Sequence, residues 1–250
     1  MIFRKLAVIL LMLSLLSLYL TPLMPFVLFL YLFFFVIYFY NMIKINSNAF
    51  GEIICSMPGE GCKSVYLTFD DGPDLTSTPA ILSLLEREKV PATFFLTGKK
   101  AEKNREITRA IISADHGLGN HTYTHNNFLT LSSKKTICRE ISMTNKLLRD
   151  EFNYECRLFR PCAGLKDMYI MDSAKKLGMK VIGWNRRSLD TVSRSPQRVF
   201  GRLADIHAKN GDILLLHDRS TKLSLEDKLL VIGMVIEFYR DKGFIFLKME

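Results

Sequence analysis

The chain has 250 residues, of which 48% are hydrophobic, and its 34 basic and 25 acidic residues give a net charge of +9. This length is enough for one domain with a substantial core. The positive charge does not predict nucleic-acid binding, because the chain has no basic stripe with interleaved aromatic residues and no nucleic-acid motif.

Residues 1–45 are predicted to form a hydrophobic helical membrane segment. The first fifty residues contain no acidic residue, and the apolar run within them is almost twice the length of about 20 residues that a bilayer span needs. Pro22 and Pro25 interrupt this run near its middle, so we predict two membrane helices, at about Ile2–Leu20 and Leu23–Ile43, and a multi-pass membrane protein. A cleaved signal peptide is the alternative, but its apolar region spans only about 7–15 residues.

The side of the membrane that the remaining chain faces stays open. Arg4 and Lys5 precede the apolar run and Lys44 follows it, which favours both ends of a helical hairpin on the cytoplasmic side. A single long, kinked span would place the remainder outside instead. Without these three residues, 31 basic and 25 acidic residues remain, a net charge of +6. That excess fits anionic lipid headgroups or an acidic glycan, and equally an ordinary soluble surface.

Residues 46–64 are predicted to be a linker, because three glycines and a proline interrupt any regular period. Cys55 and Cys62 lie in this segment and could form a disulfide in an oxidising compartment. Since the chain has five cysteines, at least one thiol must stay free or bond another molecule.

Short β-rich runs alternate with helical patterns after residue 64. The predicted strands are Val65–Phe69, Ala92–Leu96, Gly117–Asn120, Leu158–Phe159, Lys180–Trp184, Ile213–Leu216 and Phe244–Leu247. The predicted helices are Thr78–Glu88, Asn104–Asp115, Lys134–Glu151, Tyr169–Leu177, Pro196–Lys209 and Ser224–Asp241. Ser195 is expected to cap the helix that begins at Pro196. This alternation predicts an α/β domain over residues 65–250 with a parallel sheet, without distinguishing a barrel from an open sheet.

Two adjacent carboxylates, Asp70 and Asp71, end the first predicted strand. The carboxyl ends of strands are where barrel enzymes keep their chemistry, and the following Gly72-Pro73 turn can twist both acids toward one site. One acid could then bind a metal while the other acts as a base. A solvent-exposed turn fits the same residues.

His121 and His125 are four residues apart, so they would share one face of a helical turn. This spacing suits first-row metals such as zinc, although a structural pair of histidines is an alternative. Together with a carboxylate they would make a His-His-Asp site with open positions for water.

Five motifs in this order resemble the polysaccharide deacetylase family, the NodB-homology enzymes of carbohydrate esterase family 4. The motifs are Thr68–Pro73, His121–His125, Phe159–Gly164, Trp184–Asp190 and Leu214–Asp218. The resemblance covers about residues 51–247 and implies a distorted (β/α)7 barrel after the membrane segment. It also implies a metal-dependent hydrolase that removes N-acetyl groups from an amino-sugar glycan related to peptidoglycan or chitin, and the predicted membrane segment would anchor this enzyme to the membrane.

The resemblance further implies the metal ligands and the base. Asp71, His121 and His125 would bind a divalent cation, with Zn²⁺ as the expected metal and Co²⁺, Ni²⁺ or Mn²⁺ as alternatives. Asp70 would be the general base, and Arg160 would pair with it and fix its orientation.

The remaining roles and the departures from the family lie in the later motifs. By the same resemblance, His217 would be the general acid, Asp190 would orient it, and the backbone N–H of Ala163 would contact the oxyanion. Ala163 stands where the family often has tyrosine, Cys162 where it has proline, and Thr191 where an aromatic residue often follows. These changes put the acetyl pocket and the substrate range in question.

Two other hypotheses stay open. The substrate could be a lipid-linked sugar that is deformylated or deacetylated beside membrane lipids. The chain could also be a glycan-binding pseudoenzyme that keeps the barrel and lacks turnover.

Overall fold

The computed structural model describes residues 2–17, 21–219 and 222–250. These residues form two compact units, residues 1–44 and residues 45–250.

The first unit contains two helices, α1 (Ile2–Ser17) and α2 (Met24–Ile43). They are separated near Pro22 and Pro25, as expected; residues 18–20 of the predicted first helix lie outside the described residues. At about 1.5 Å per residue α1 reaches only about 24 Å, short of the roughly 30 Å hydrocarbon core. Among the described residues, α2 alone is long and apolar enough to cross a bilayer. The prediction of two membrane-spanning helices is therefore not supported, and one helix remains as a possible membrane anchor or signal sequence.

The second unit is a ring of parallel strands covered by helices. Its strands are β1 (Ser64–Gly72), β2 (Thr93–Leu96), β3 (Gly117–Asn120), β4 (Leu158–Phe159), β5 (Lys180–Val181), β6 (Arg186–Arg187), β7 (Asp212–His217) and β8 (Ile245–Phe246). Its helices are α3 (Ser77–Glu88), α4 (Gly98–Lys103), α5 (Arg105–Ser113), α6 (Lys134–Phe152), α7 (Met168–Lys176), α8 (Pro196–Leu203) and α9 (Leu225–Asp241). The strand order is β5-β4-β3-β2-β1-β7-β6, and β8 pairs with the start of β1. This arrangement confirms the distorted (β/α)7 barrel.

Strand β1 lies in the interior of the sheet, between β2 and β7, and is buried along its whole length. Its side chains alternate between two faces. Val65, Leu67 and Phe69 belong to the large core between strands and helices, whereas Tyr66 belongs to the smaller core inside the ring. Asp70 has the same parity as Tyr66, so this alternation directs its carboxylate into the ring at the carboxyl end.

Two elements were not predicted from the sequence. Strand β6 consists of two arginines and has no apolar period; its pairing with β7 defines it. Helix α4 has six residues, too few for a recognisable helical pattern. Helix α8 ends at Leu203 rather than Lys209, and its predicted cap is confirmed because the Ser195 side chain accepts a hydrogen bond from the Arg198 N–H.

The segment expected to be a linker, residues 46–64, lies against the barrel. Ile53 is buried in the large core. Ile54 forms a parallel bridge with Ile182, and Ser56 forms an antiparallel bridge with Asp212. All five cysteines are free thiols, so Cys55 and Cys62 form no disulfide in this structure.

Candidate active site

The predicted site residues meet at the carboxyl end of the barrel. Asp70 and Asp71 lie at the end of β1, His121 directly follows β3, Arg160 directly follows β4, and His217 ends β7. Because parallel strands end at one edge of a sheet, residues far apart in sequence come together there.

Asp71, His121 and His125 converge. Oδ1 of Asp71 lies 2.7 Å from Nε2 of His125 and 3.3 Å from Nε2 of His121. Burial alone would raise the pKa of the Asp71 carboxyl, but hydrogen bonds with the two histidines outweigh burial and hold that pKa well below its usual range. The same hydrogen bond to Asp71 raises the pKa of His125 to about 9.

A loop brings His121 and His125 together. The prediction that they share one face of a helical turn is therefore wrong. Thr122 and His125 have φ values of 65° and 58°, in the left-handed region. The loop is held by Asn120, whose side-chain oxygen accepts the Thr122 N–H at 2.8 Å. Nδ1 of His121 lies 2.7 Å from the Arg160 carbonyl oxygen. A carbonyl only accepts, so Nδ1 carries a proton and donates it to this oxygen, which leaves Nε2 as the nitrogen that faces Asp71.

A left-handed residue also brings the two adjacent acids to one site. Asp71 has φ 74°, and the pairing of β1 with β2 shifts register between Asp70 and Gly72. In a regular strand the two carboxylates would point to opposite faces. The bulge at Asp71 turns its side chain toward the histidines while Asp70 stays directed into the ring.

Asp70 and Arg160 form a buried ion pair. Nη1 of Arg160 donates to Oδ1 of Asp70 at 2.6 Å, and neither side chain is appreciably exposed. The guanidinium also donates to the Thr68 hydroxyl and to the carbonyls of Ile182 and Gly183. Its central carbon, Cζ, lies 3.9 Å from the centre of the Phe95 ring. Four acceptors and an aromatic ring therefore fix the orientation of the guanidinium, and through it that of Asp70.

His217 pairs with Asp190. Nδ1 of His217 donates to Oδ1 of Asp190 at 2.8 Å, and the His217 backbone N–H donates to Oδ2 at 3.0 Å. Burial alone would lower the pKa of His217, but the Asp190 carboxylate outweighs burial and raises it above the usual 6.5. Three other aspartates pair elsewhere, Asp172 with Lys134, Asp212 with Arg186, and Asp218 with Thr78.

The loop after β4 carries the departures from the family pattern. Ala163 is exposed and has φ 54°, a left-handed conformation inside the turn Cys162–Gly164. Cys162 is buried, and its Sγ lies 3.2 Å from Oγ1 of Thr122. This contact places the thiol beside the loop that carries the two histidines.

Two further residues reach the site without having been predicted. Nε of Arg219 donates to Oδ2 of Asp71 at 2.6 Å, on the side opposite the histidines. Asp218 is fully buried, burial raises its pKa to about 7, and its Oδ1 has no hydrogen-bond partner among the described residues. Asp218 ends the fifth family motif without an assigned role, and the sequence signal for Arg219 is its position two residues after His217, at the end of a buried strand.

Comparison with known proteins identifies the family. The family model described as polysaccharide deacetylase matches residues 58–182, half of the chain. The chain belongs to this family. A peptidoglycan-N-acetylglucosamine deacetylase of Bacillus cereus is 32% identical over 158 residues, covering 62% of this chain and 73% of the relative. A chitooligosaccharide deacetylase of Sinorhizobium fredii is 29% identical over 203 residues, covering 75% of this chain and 90% of the relative.

A solved structure agrees with this family membership. The crystal structure of the Bc1960 peptidoglycan N-acetylglucosamine deacetylase, in complex with 4-naphthalen-1-yl-N-oxidanyl-benzamide, superposes with a TM-score of 0.72. It is 28% identical, and the match covers 79% of this chain and 90% of that structure. The resemblance seen in the five motifs is confirmed. The predicted enzyme class is also confirmed: the chain is a polysaccharide deacetylase, which hydrolyses amide bonds of N-acetylated sugars.

Proposed function

We propose that this polysaccharide deacetylase is metal-dependent and removes N-acetyl groups from an amino-sugar glycan of the peptidoglycan or chitooligosaccharide type. The observation that carries the proposal is the convergence of Asp71, His121 and His125 beside the buried Asp70–Arg160 pair. The glycan type is supported by the names of the two relatives.

The donor set fits a divalent cation. Oδ1 of Asp71 has two imidazole nitrogens within 3.3 Å, those of His121 and His125. One carboxylate oxygen with two imidazole nitrogens is a ligand combination typical of catalytic zinc. Nδ1 of His121 is tied to a backbone carbonyl, the kind of contact that orients a metal-binding histidine. A divalent cation held there would polarise the acetyl carbonyl and make a nearby water more acidic. Zn²⁺ suits this set, as do Co²⁺, Ni²⁺ and Mn²⁺.

Asp70 is positioned to act as the general base. Arg160 occupies its Oδ1, which leaves Oδ2 directed toward the site, 3.9 Å from Nε2 of His121. Oδ2 would take the proton from the water whose oxygen attacks the acetyl carbon. The backbone N–H of Ala163 would stabilise the negative charge that develops on the carbonyl oxygen.

His217 is positioned to act as the general acid. Its Nδ1–H is held by Asp190, so Nε2 faces away from that carboxylate and would deliver a proton to the amide nitrogen as the carbon–nitrogen bond breaks. The products are acetate and the free amino sugar, and the proton taken by Asp70 balances the proton given by His217.

A second candidate substrate is a lipid-linked sugar, deformylated or deacetylated at a membrane surface. Helix α2 would tether the barrel to the bilayer if it is retained as an anchor. Large apolar side chains are exposed in loops that follow strands at the site end, namely Leu75, Phe128, Leu131 and Val192. Such side chains fit contact with lipid or with a hydrophobic carrier.

The test uses the full chain in detergent, supplied in turn with Zn²⁺, Co²⁺, Ni²⁺ or Mn²⁺. It should release acetate from N-acetylglucosamine oligomers or from peptidoglycan. Asp70→Asn should lower kcat by about 10²–10⁴-fold, the usual contribution of a general base, while the bound metal remains. The control Asp172→Asn, at an exposed aspartate, should change neither quantity. Release of acetate from none of these substrates with any of the four metals would reject the glycan proposal. Altered lipid-linked sugars in a deletion strain would then support the second candidate.

A further inference from the structure

Cys162 lies within the cluster of metal-binding side chains. Its Sγ and one nitrogen each of His121 and His125 all lie within 4.8 Å of one another. The thiol is 4% exposed, and besides Oγ1 of Thr122 it contacts the His121 carbonyl oxygen at 3.7 Å. A nearly buried sulfur therefore faces the two imidazoles proposed as ligands.

We propose that the Cys162 thiolate is a fourth protein ligand of the divalent cation, so that this chain has an Asp-His-His-Cys site. The inference rests on the proposed function, because it requires a cation between Asp71 and the two histidines. On metal binding the S–H bond breaks, the proton leaves to solvent, and the sulfur lone pair forms the bond to the cation. No oxidant or reductant is involved.

The geometry is compatible with one shared ion. Zinc binds sulfur at about 2.3 Å and imidazole nitrogen at about 2.0–2.1 Å, which puts tetrahedral donors roughly 3.5 Å apart. The thiol and the two histidine nitrogens are at most 4.8 Å apart, so binding one ion requires shifts of these three side chains on the order of 1 Å. Cys162 belongs to a short turn after β4, and the neighbouring His121 Nδ1 is held by the carbonyl of Arg160 at the end of the same strand. The turn and the histidine are thus positioned together.

The surroundings of Cys162 differ from those of the other buried cysteine, Cys156. Sγ of Cys156 faces two backbone carbonyl oxygens, those of Leu158 and Leu118, at 3.4 and 3.7 Å. A thiol in that setting acts as a weak donor in the core. Cys162 also contacts a carbonyl oxygen, but in addition its Sγ lies within 4.8 Å of one nitrogen of each histidine, which is the environment of a metal ligand. Cys156 therefore serves as the matched control.

A thiolate ligand would have two consequences for this site. Sulfur favours zinc and cobalt over manganese, because a soft ligand prefers those ions. Four protein ligands also fill a tetrahedral site, whereas a catalytic site keeps one position for water or substrate. The sulfur would therefore compete with water for that position, and the site would hold the metal more tightly than three protein ligands would.

The experiment uses the full chain in detergent, loaded with Co²⁺, with Cys162→Ser, Cys162→Ala and the control Cys156→Ser. The parent chain and the control should bind one Co²⁺ and show a thiolate-to-cobalt charge-transfer band in the near ultraviolet beside the visible cobalt bands. Both Cys162 variants should keep one Co²⁺ and the visible bands, which report an intact site, and lose the charge-transfer band. Their affinity for Zn²⁺, measured by competition with a chelator, should fall at least about tenfold.

The possible results separate this inference from the proposed function. One bound Co²⁺ without a charge-transfer band in the parent chain, or a band that persists in Cys162→Ser, overturns the thiolate ligand and leaves the metal site intact. If neither the parent chain nor the Asp71→Asn variant binds Co²⁺, the metal-dependent function and the inference both fail.

Discussion

Replacing Arg160 with methionine should destabilise the barrel strongly, because it leaves a buried carboxylate without its cation. Asp70 is 3% exposed and Arg160 is fully buried, with 2.6 Å between Nη1 and Oδ1. Removing one partner of a buried ion pair costs about 3–5 kcal/mol. The carbonyls of Ile182 and Gly183 also lose their donors, which adds about 1–3 kcal/mol for each carbonyl that water cannot reach.

Two effects keep the expected loss near the lower end of that sum. Oδ2 of Asp70 lies 3.9 Å from Nε2 of His121, and a protonated His121 would compensate part of the charge. Water can also enter from the open end of the barrel. We therefore expect Arg160→Met to lower the free energy of unfolding by about 5 kcal/mol, the lower end of the summed terms. Urea denaturation of the full chain in detergent, with chelator present to exclude metal effects, measures this change.

A double-mutant cycle tests the physical reason. Asp70→Asn removes the charge that Arg160→Met strands, so the double variant should lose about 2 kcal/mol less than the sum of the single variants. Arg105→Met is the control, because Arg105 pairs with Glu151 at the surface at 3.4 Å and such pairs contribute about 0–1 kcal/mol. A loss below about 1 kcal/mol for Arg160→Met, or additivity within about 0.5 kcal/mol, would refute the reasoning.

Two further predictions concern Gly72 and the pH dependence. A Cβ on Gly72 would overlap the buried carboxylate of Asp218, so Gly72→Ala should destabilise by about 1–3 kcal/mol in urea denaturation. Gly201→Ala on α8, where a Cβ meets nothing within 4 Å, should instead stabilise by about 0.5–1 kcal/mol; equal effects would contradict the steric reason. For His217, burial alone would lower the pKa, yet Asp190 raises it above 6.5, so activity that needs protonated His217 persists below the raised pKa and is lost as pH rises through it. Asp190→Asn should move this alkaline loss of activity to lower pH, and an unchanged pH profile would exclude His217 as the proton donor.

The sequence predicted those elements that have a strong apolar pattern of their own. Helix α6 begins at the predicted residue and ends one residue later, and strand β4 has its predicted bounds. Strand β6 shows the limit. Arg186 and Arg187 have no strand pattern, and their extended backbone depends on pairing with Leu214 and Leu215 of β7. A contact between distant segments, rather than local propensity, creates that strand.

The motifs predicted which side chains gather at the site, but not how the backbone brings them there. The spacing of His121 and His125 suggested a helical turn, whereas left-handed residues make the observed loop. Asp71 likewise reaches the histidines through its own left-handed φ of 74° and a register shift in β1. Non-glycine residues rarely adopt such conformations, so local propensity gave no signal for them. They are held by contacts such as the Asn120 hydrogen bond, which only the folded chain provides.

The site residues that were not predicted from the sequence were missed for a different reason. Arg219 and Asp71 are separated by 148 positions and meet because β1 and β7 are neighbours in the sheet. Asp71 consequently presents Oδ1 to the histidines and Oδ2 to a guanidinium, an arrangement that favours binding of a cation by one carboxylate oxygen. Cys162 was noticed only as a departure from the family pattern, yet it lies beside the same histidines. If the proposed cation binds here, its environment depends on two positions, Arg219 and Cys162, that the family motifs leave unassigned, and differences in metal affinity from the relatives should originate there.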